Sequence, residues 1–358
     1  MRTLLLCPEL FRADGGIARI LRLYLKALCE TAEPGDAVDC LVLNDNVVDP
    51  RLADFSGPAL RSFAGFARHR LAFAFQALRL GRKADRALCG HLHQLPVLRL
   101  ARRLHPGLRY SLVAHGIEVW RPFSAGERRA LLGAHRILCV SEFTRRQLRR
   151  FCPELDPTRL VVVPNAVDPT LPAPANPAAR VDETPGPRLL AVARLSAADS
   201  YKGVDTLIEA LPLVRRRRSG ARLRIVGDGD DLPRLRALAR ARQVAGAVEF
   251  IGRIDDAALQ SEYAACDLFA LPSRREGFGL VYLEAMRHGK PCLGARAGGA
   301  PEVIDDRVGA LAPYGNIPEI AAAVLELVRH PRDPAAIRRH AADFAYPAFA
   351  RNVASALA

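Results

Sequence analysis

Eight short apolar runs recur along the chain, each followed by enough residues for a helix. They are TLLLC (3–7), AVDCLVL (37–43), RILCV (136–140), RLVVVP (159–164), RLLAVA (188–193), RLRIVG (222–227), AVEFIG (247–252) and DLFALP (267–272). Runs this short and this continuously apolar are strands buried on both faces. Separated by helical patterns, they predict parallel sheets in an α/β fold. The rhythm breaks once, at DPTLPAPANPAARVDETPGP (168–187), which holds six prolines and little to bury. A chain of 358 residues exceeds one ordinary core, so the break reads as a linker between domains. The organisation expected is a first domain over 1–170, a linker over 171–187 and a second domain over 188–343. The last segment, FAYPAFARNVASALA (344–358), reads as a helix with aromatic anchors, and its pattern leaves open whether it returns to the first domain.

Charge is lopsided. Residues 1–170 hold 26 Lys and Arg against 16 Asp and Glu, whereas the rest holds 26 against 22. A basic surface of this kind suits nucleic acid, anionic lipid or a phosphorylated ligand, and an Arg-rich composition also produces it with no partner. No basic motif interleaved with aromatics supports nucleic acid. No apolar run reaches the length of a membrane span, and MRTLLLCPEL suits a first buried strand better than a signal peptide. The eight cysteines are scattered, with no C-x-x-C pair. They read as reduced core thiols, in a cytoplasmic protein.

The most informative stretch is EGFGLVYLE (276–284). DLFALP before it is a buried strand, SRREGFG a loop, and LVYLEAMRH an amphipathic helix that Gly289 and Pro291 end. The loop therefore lies at the carboxyl end of a parallel strand, where open α/β sheets bind ligands. Helix-start N–H groups at Gly277, Phe278, Gly279 and Leu280 favour an anion, and the two glycines let a phosphate approach backbone. Glu276 precedes that anion site and Glu284 follows it. Carboxylates accept two hydroxyl donors at once, so acids on either side of a phosphate group suit a nucleotide sugar. A helix start that simply favours Glu is the plainer alternative.

With these residues in place, the chain resembles the family-4 retaining glycosyltransferases of the GT-B fold, nearly end to end. EGFGLVYLEAMRHGKPCLG and GGAPEVI (298–304) resemble the family's central signature, and AVARLSAADSYKGVDTLIEAL (191–211) its donor-phosphate segment. VVVPNAVD (161–168) resembles the stretch that ends the first domain, with Ala166 where Gly is commoner. PELFRADGGIARI (8–20) and SLVAHGIEVW (111–120) resemble two first-domain loops. The resemblance implies two Rossmann-like domains whose parallel sheets face a central cleft. It implies a hexose, of mannose or glucose type, moved from a nucleotide diphosphate sugar to a glycan or lipid-linked glycan in cell-surface polysaccharide synthesis. No further cofactor and no metal is implied. Arg194 and Lys202 would hold the diphosphate and offset charge on the leaving group. Gly15 and Gly16 would let the first helix begin close to the phosphates. His115 would contact the transferred sugar or organise its reacting face, Glu276 would bind that sugar's hydroxyls, Glu284 the ribose, and Ile254 would offer backbone groups to the base. An epimerase of the same fold is the nearest rival. A dinucleotide-dependent dehydrogenase is disfavoured, because no G-x-G-x-x-G follows a strand.

Other features carry less. His91 and His93, two apart, would share one strand face, but no nearby acid or cysteine completes a metal site. Asp228–Asp231 lacks the later oxygen ligands of a calcium loop and reads as a turn. Arg215–Arg218 reads as a solvated helix end. Residues 59–84 carry six Lys and Arg and no acid. On a helical wheel Arg61, Arg68, Arg79, Arg82 and Lys83 gather on one side and Phe63, Phe66, Phe73 and Leu80 on another, with Arg70 and Phe75 out of place. That pattern fits an interfacial helix on an anionic membrane, or a core helix with a basic solvated face.

Overall fold

The computed structural model describes residues 1–12, 15–172 and 186–358. Among the described residues thirteen strands form two sheets. The first sheet comprises β1 (Arg2–Cys7), β2 (Ala37–Val42), β3 (Leu60–Gly65), β4 (Arg86–Cys89), β5 (Arg109–Ala114), β6 (Ile137–Cys139) and β7 (Leu160–Val162). It is ordered β3-β2-β1-β4-β5-β6-β7. The second comprises β8 (Arg188–Val192), β9 (Arg222–Val226), β10 (Val248–Gly252), β11 (Leu268–Leu271), β12 (Cys292–Ala295) and β13 (Gly309–Ala312), ordered β10-β9-β8-β11-β12-β13. The eight apolar runs supply β1, β2 and β6 to β11 of these strands. Every strand pair in both is parallel. The order reverses between β1 and β4 in the first sheet and between β8 and β11 in the second. Each reversal opens a crevice at the carboxyl ends of its strands.

The helices of the first half are α1 (Gly16–Glu30), α2 (Leu52–Phe55), α3 (Arg70–Gly81), α4 (Leu95–Leu104), α5 (Ala125–Leu132) and α6 (Glu142–Phe151). Those of the second are α7 (Val204–Arg217), α8 (Leu232–Ala241), α9 (Asp256–Ala265), α10 (Leu280–Arg287), α11 (Ile317–Arg329), α12 (Pro334–Ala342) and α13 (Tyr346–Leu357). The chain divides into one unit of Met1–Thr170 with Ala345–Ala358, and another of Leu171–Phe344. Most of the proline-rich stretch lies outside the described residues.

Because strand side chains alternate between faces, the first sheet sorts its own core. Leu4, Leu6, Leu112 and Ala114 point to the layer of α3, α4, α5 and α6. Leu5, Cys7, Val113 and Leu138 point to the layer of α1, α2 and α13. The terminal helix α13 thus belongs to the first unit, where the Tyr24 and Phe349 rings meet edge-on at 4.9 Å. Tyr346 donates to Glu30 at 2.5 Å, and Lys26 pairs with the same carboxylate at 2.9 Å. All eight cysteines are buried and free.

The structure corrects the single helix read over 59–84. Its first third is β3, an edge strand in which Arg61 pairs with buried Asp39 at 2.9 Å. Phe63 packs towards the α1 side and Phe66 towards the other, as a period of two requires. Ala67 and Arg68, at φ 45° and 71°, turn the chain out of the strand before α3 begins. His91 and His93 are corrected too. They lie past the end of β4, where the His91 ring accepts the His93 N–H at 3.3 Å and caps the turn Leu92–Gln94. Arg216, Arg217 and Arg218 are exposed at the end of α7.

Candidate active site

In the second sheet, the loops that leave β8 and β11 flank the strand-order reversal, and the basic and acidic candidates sit on them. Arg194 follows β8, with a side chain three-quarters exposed, and it pairs with buried Asp199. Tyr201 donates to the other oxygen of Asp199 at 2.8 Å. Burial alone would raise the Asp199 pKa, but the bonds from Arg194 and Tyr201 outweigh it and hold the carboxyl below its ordinary value. It stays ionised and anchors the arginine stem while the guanidinium remains at the surface. Lys202 ends the same 3-10 segment, Ala197–Lys202. Its ammonium meets Glu276 Oε2 at 2.8 Å. The family resemblance assigns Lys202 and Glu276 to different ligand groups; folding makes them partners of each other. The pair is partly shielded, with side chains 24 and 12 % exposed. Each therefore neutralises the other while leaving an edge accessible.

The loop that carries Glu276 is held by backbone. Gly299 N–H donates to the Glu276 carbonyl at 2.7 Å. Gly298 has φ +62°, and a methyl there would stand 2.4 Å from the same carbonyl oxygen. A methyl on Gly299 would meet the Gly277 oxygen at 2.3 Å. Only glycine lets these two loops lie against each other. Gly279, at φ +100°, caps α10 without a side chain, and a methyl on it would strike the Tyr282 ring at 2.3 Å. Tyr282 is itself fixed, donating to the Leu271 carbonyl at 2.6 Å. Phe278 is buried, with its ring 5.6 Å from that of Phe344, so its side chain anchors the loop. Half-buried Leu280 opens the helix. The N–H groups at the start of a helix such as α10 favour an anion there.

Glu284 lies one turn further on and is almost fully buried. Tyr263 of α9 donates to its Oε2 at 3.0 Å. The Tyr263 ring stacks on His288, whose Nε2 meets Gln260 Oε1 at 2.9 Å. Burial pushes the His288 pKa down to about 4, so the ring is neutral at physiological pH. Ile254, half-buried, stands two residues past the end of β10.

On the first sheet, Gly15 caps α1 with no side-chain bond and no acid in the first turn; a methyl on it would meet nothing within 4 Å. Gly15 and Gly16 are exposed. His115 follows β5 and is buried. Its Nε2 meets the Gly90 carbonyl at 2.9 Å, and its backbone N–H donates to Glu118 Oε1 at 2.6 Å. Burial pushes its pKa down to about 4, so the ring is neutral and donates through Nε2. His115 thereby ties the loop after β5 to the loop after β4.

The sequence reading missed Asp199, Tyr201, Tyr263 and the separate work of Gly298 and Gly299. Only the glycine doublet left a signal. The others look like ordinary helix or core residues until the chain is folded.

Comparison with known proteins agrees along most of the length. The family described as "Glycosyltransferase Family 4" matches residues 15–171, and that described as "Glycosyl transferases group 1" matches residues 186–330. A GDP-mannose-dependent alpha-(1-6)-phosphatidylinositol monomannoside mannosyltransferase of Mycobacterium tuberculosis is 36 % identical over 242 residues. The match spans 63 % of this chain and 62 % of that protein, less than two thirds of its length. A glycogen synthase of the same organism is 38 % identical over 165 residues, 46 % of this chain and 38 % of its own. Anabaena HepE, solved in complex with UDP, superposes with a TM-score of 0.79 at 20 % identity, covering 99 % of each chain. A lipopolysaccharide outer core galactosyltransferase, WaaB, gives 0.76 at 18 %, again over 99 % of each. At such identities the likeness is one of fold, and that fold is GT-B. With one family match on each of its two units, the chain belongs to glycosyltransferase family 4.

Proposed function

We propose that the protein is a retaining hexosyltransferase. It takes mannose or glucose from a nucleotide diphosphate sugar and passes it to a lipid-linked glycan or glycolipid at the cytoplasmic face of the plasma membrane, in cell-surface polysaccharide synthesis. The observation that carries the reading is the convergence of Arg194, Lys202 and the start of α10 on the crevice of the second sheet, with Glu276 paired to Lys202. The acceptor class is supported by the phosphatidylinositol mannoside in the name of the mycobacterial relative.

The chemistry follows from charge. As the bond from the anomeric carbon to phosphate breaks, negative charge collects on the β-phosphate. Arg194, Lys202 and the α10 N–H groups are pre-set to receive it, which lowers the barrier without reorganisation. Diphosphate binding gives Lys202 a second anionic partner and leaves Glu276 oriented for sugar hydroxyls. The acceptor hydroxyl then attacks the face the phosphate leaves. Its oxygen bonds to the anomeric carbon, its proton passes to the departing phosphate oxygen, and the configuration is kept with no enzyme nucleophile. Because two fixed cations carry the diphosphate charge, transfer proceeds without a divalent ion.

The test is product analysis. Purified protein is incubated with UDP-, GDP- and ADP-hexoses and a phospholipid-linked acceptor, and the new linkage is read by proton NMR. The reading requires an axial anomeric bond like that of the donor, formed equally well in EDTA. An inverted linkage, an epimerised donor with no transfer, or activity abolished by EDTA and restored by manganese would overturn it.

A further inference from the structure

The two helix layers of the first sheet differ sharply in charge. Helices α3, α4, α5 and α6 together carry eleven Arg and only two acids, Glu127 and Glu142. Both acids are already paired, with Arg121 and Arg145. On the opposite layer, α1, α2 and α13 carry four cations and two acids. Among the described residues, Arg70, Arg79, Arg103, Arg146, Arg149 and Arg150 form no ion pair, and all six are exposed. Three of them, Arg146, Arg149 and Arg150, line an open concavity of ≈ 320 Å³ with Pro153.

The same layer also exposes apolar side chains that its core has no use for. Leu71 and Phe75, one turn apart on α3, are 88 and 70 % exposed. Leu100 and Leu104 on α4 and Leu132 on α5 are exposed as well, whereas no large hydrophobic residue of α1, α2 or α13 is. Single exposed hydrophobic side chains need no explanation, but five on one cationic layer and none on the other do.

We propose that the α3–α6 layer is the surface with which the protein docks on an anionic lipid bilayer. Arginine heads would meet phosphate headgroups while Leu71, Phe75, Leu100 and Leu104 enter the boundary of the acyl region. Nucleic acid would use the cations but give the exposed leucines and phenylalanine no partner. The surface differs from the single 59–84 helix expected from sequence: Arg61 is excluded, bound to Asp39 on an edge strand, and α4, α5 and α6 are included. It goes beyond the transferase reading and does not depend on the donor site.

The experiment is vesicle flotation of the full chain without substrates, on phosphatidylcholine with and without phosphatidylglycerol, at low and high salt. Arg146→Gln, Arg149→Gln and Arg150→Gln together should weaken binding to anionic vesicles about a hundredfold, at roughly fivefold per cation. Leu71→Ser with Phe75→Ser should cost at least about tenfold, a loss that persists when salt screens the charges. Arg19→Gln with Arg351→Gln, on the other layer, should change binding less than about twofold. Equal losses from both layers, equal flotation on neutral vesicles, or retention by duplex DNA in place of vesicles would each overturn the proposal. Since no donor or acceptor is present, these outcomes are independent of whether the protein transfers sugar.

Discussion

Helices α1 and α10 both begin at a glycine, and the two beginnings are opposites. At α1, Gly15 has ordinary extended backbone, solvent around it and space for a side chain. At α10, Gly279 is left-handed, enclosed by Tyr282, and part of a loop clamped by Gly298 and Gly299. The first end is merely available, and the second is built. Preorganised donors contribute most where charge develops during reaction, so the difference points to the second domain as the place where the leaving group is held.

The largest test of that contrast is a pair of methyl groups. Gly298→Ala should displace Glu276 and cut transfer at least about a hundredfold, since misplacement of roughly an ångström costs that much. Gly15→Ala should leave the unfolding free energy within about 1 kcal/mol of wild type. Any loss of turnover it causes would then report a ligand at the open end. Turnover by Gly298→Ala within a few-fold of wild type would break the contrast. A smaller effect is expected from Glu276→Gln, which keeps shape but loses charge. Transfer should fall about tenfold, equivalent to 1.4 kcal/mol of barrier, with donor affinity less affected. Unchanged kcat in the purified variant would remove Glu276 from the sugar site.

Smaller still is the effect of Tyr263→Phe, which deletes one hydrogen bond to Glu284. Binding of a ribonucleoside diphosphate should weaken by about 1 kcal/mol, and binding of the 2′,3′-dideoxy analogue should not change. Equal weakening of both would show that Tyr263 supports the fold and not the ribose contact. The smallest effect is on acid stability. The His91, His115 and His288 pKa values are each held near 4 by burial, below the usual 6.5 of an unfolded chain. A depressed histidine pKa means that the folded state resists protonation. Its contribution is complete above the unfolded pKa and is lost as pH falls from about 6.5 towards 4. Two of the three lie in the first domain, so its melting midpoint should drop more steeply over that window. Parallel loss from both domains, followed by hydrogen exchange, would contradict the assignment.

How much of this was legible in advance depended on whether the signal was local. Buried strands announce themselves in continuous apolar runs, and a strand–loop–helix with glycines at its corner announces an anion site, so the two sheets and the EGFG loop could be read from sequence. Residues 59–84 could not, because phenylalanines spaced for a helix face also alternate along a strand, and only pairing with β2 decides between them. Tyr263 gave no sign because its hydroxyl finds Glu284 across 21 residues of chain. The Lys202–Glu276 pair, 74 residues apart, was invisible for the same reason. Whether α13 joins the first or the second domain rests on packing against Tyr24, which no periodicity encodes.

We propose that the second domain holds the diphosphate through Arg194 and Lys202. Calorimetry of wild type, Arg194→Ala and Lys202→Ala with a nucleoside diphosphate and with the bare nucleoside tests it most directly. Each variant should lose roughly 1.5–3 kcal/mol of diphosphate affinity, the range for a charge-assisted bond, and none of its affinity for the nucleoside. Equal losses for the two ligands, or no loss for either, would contradict it.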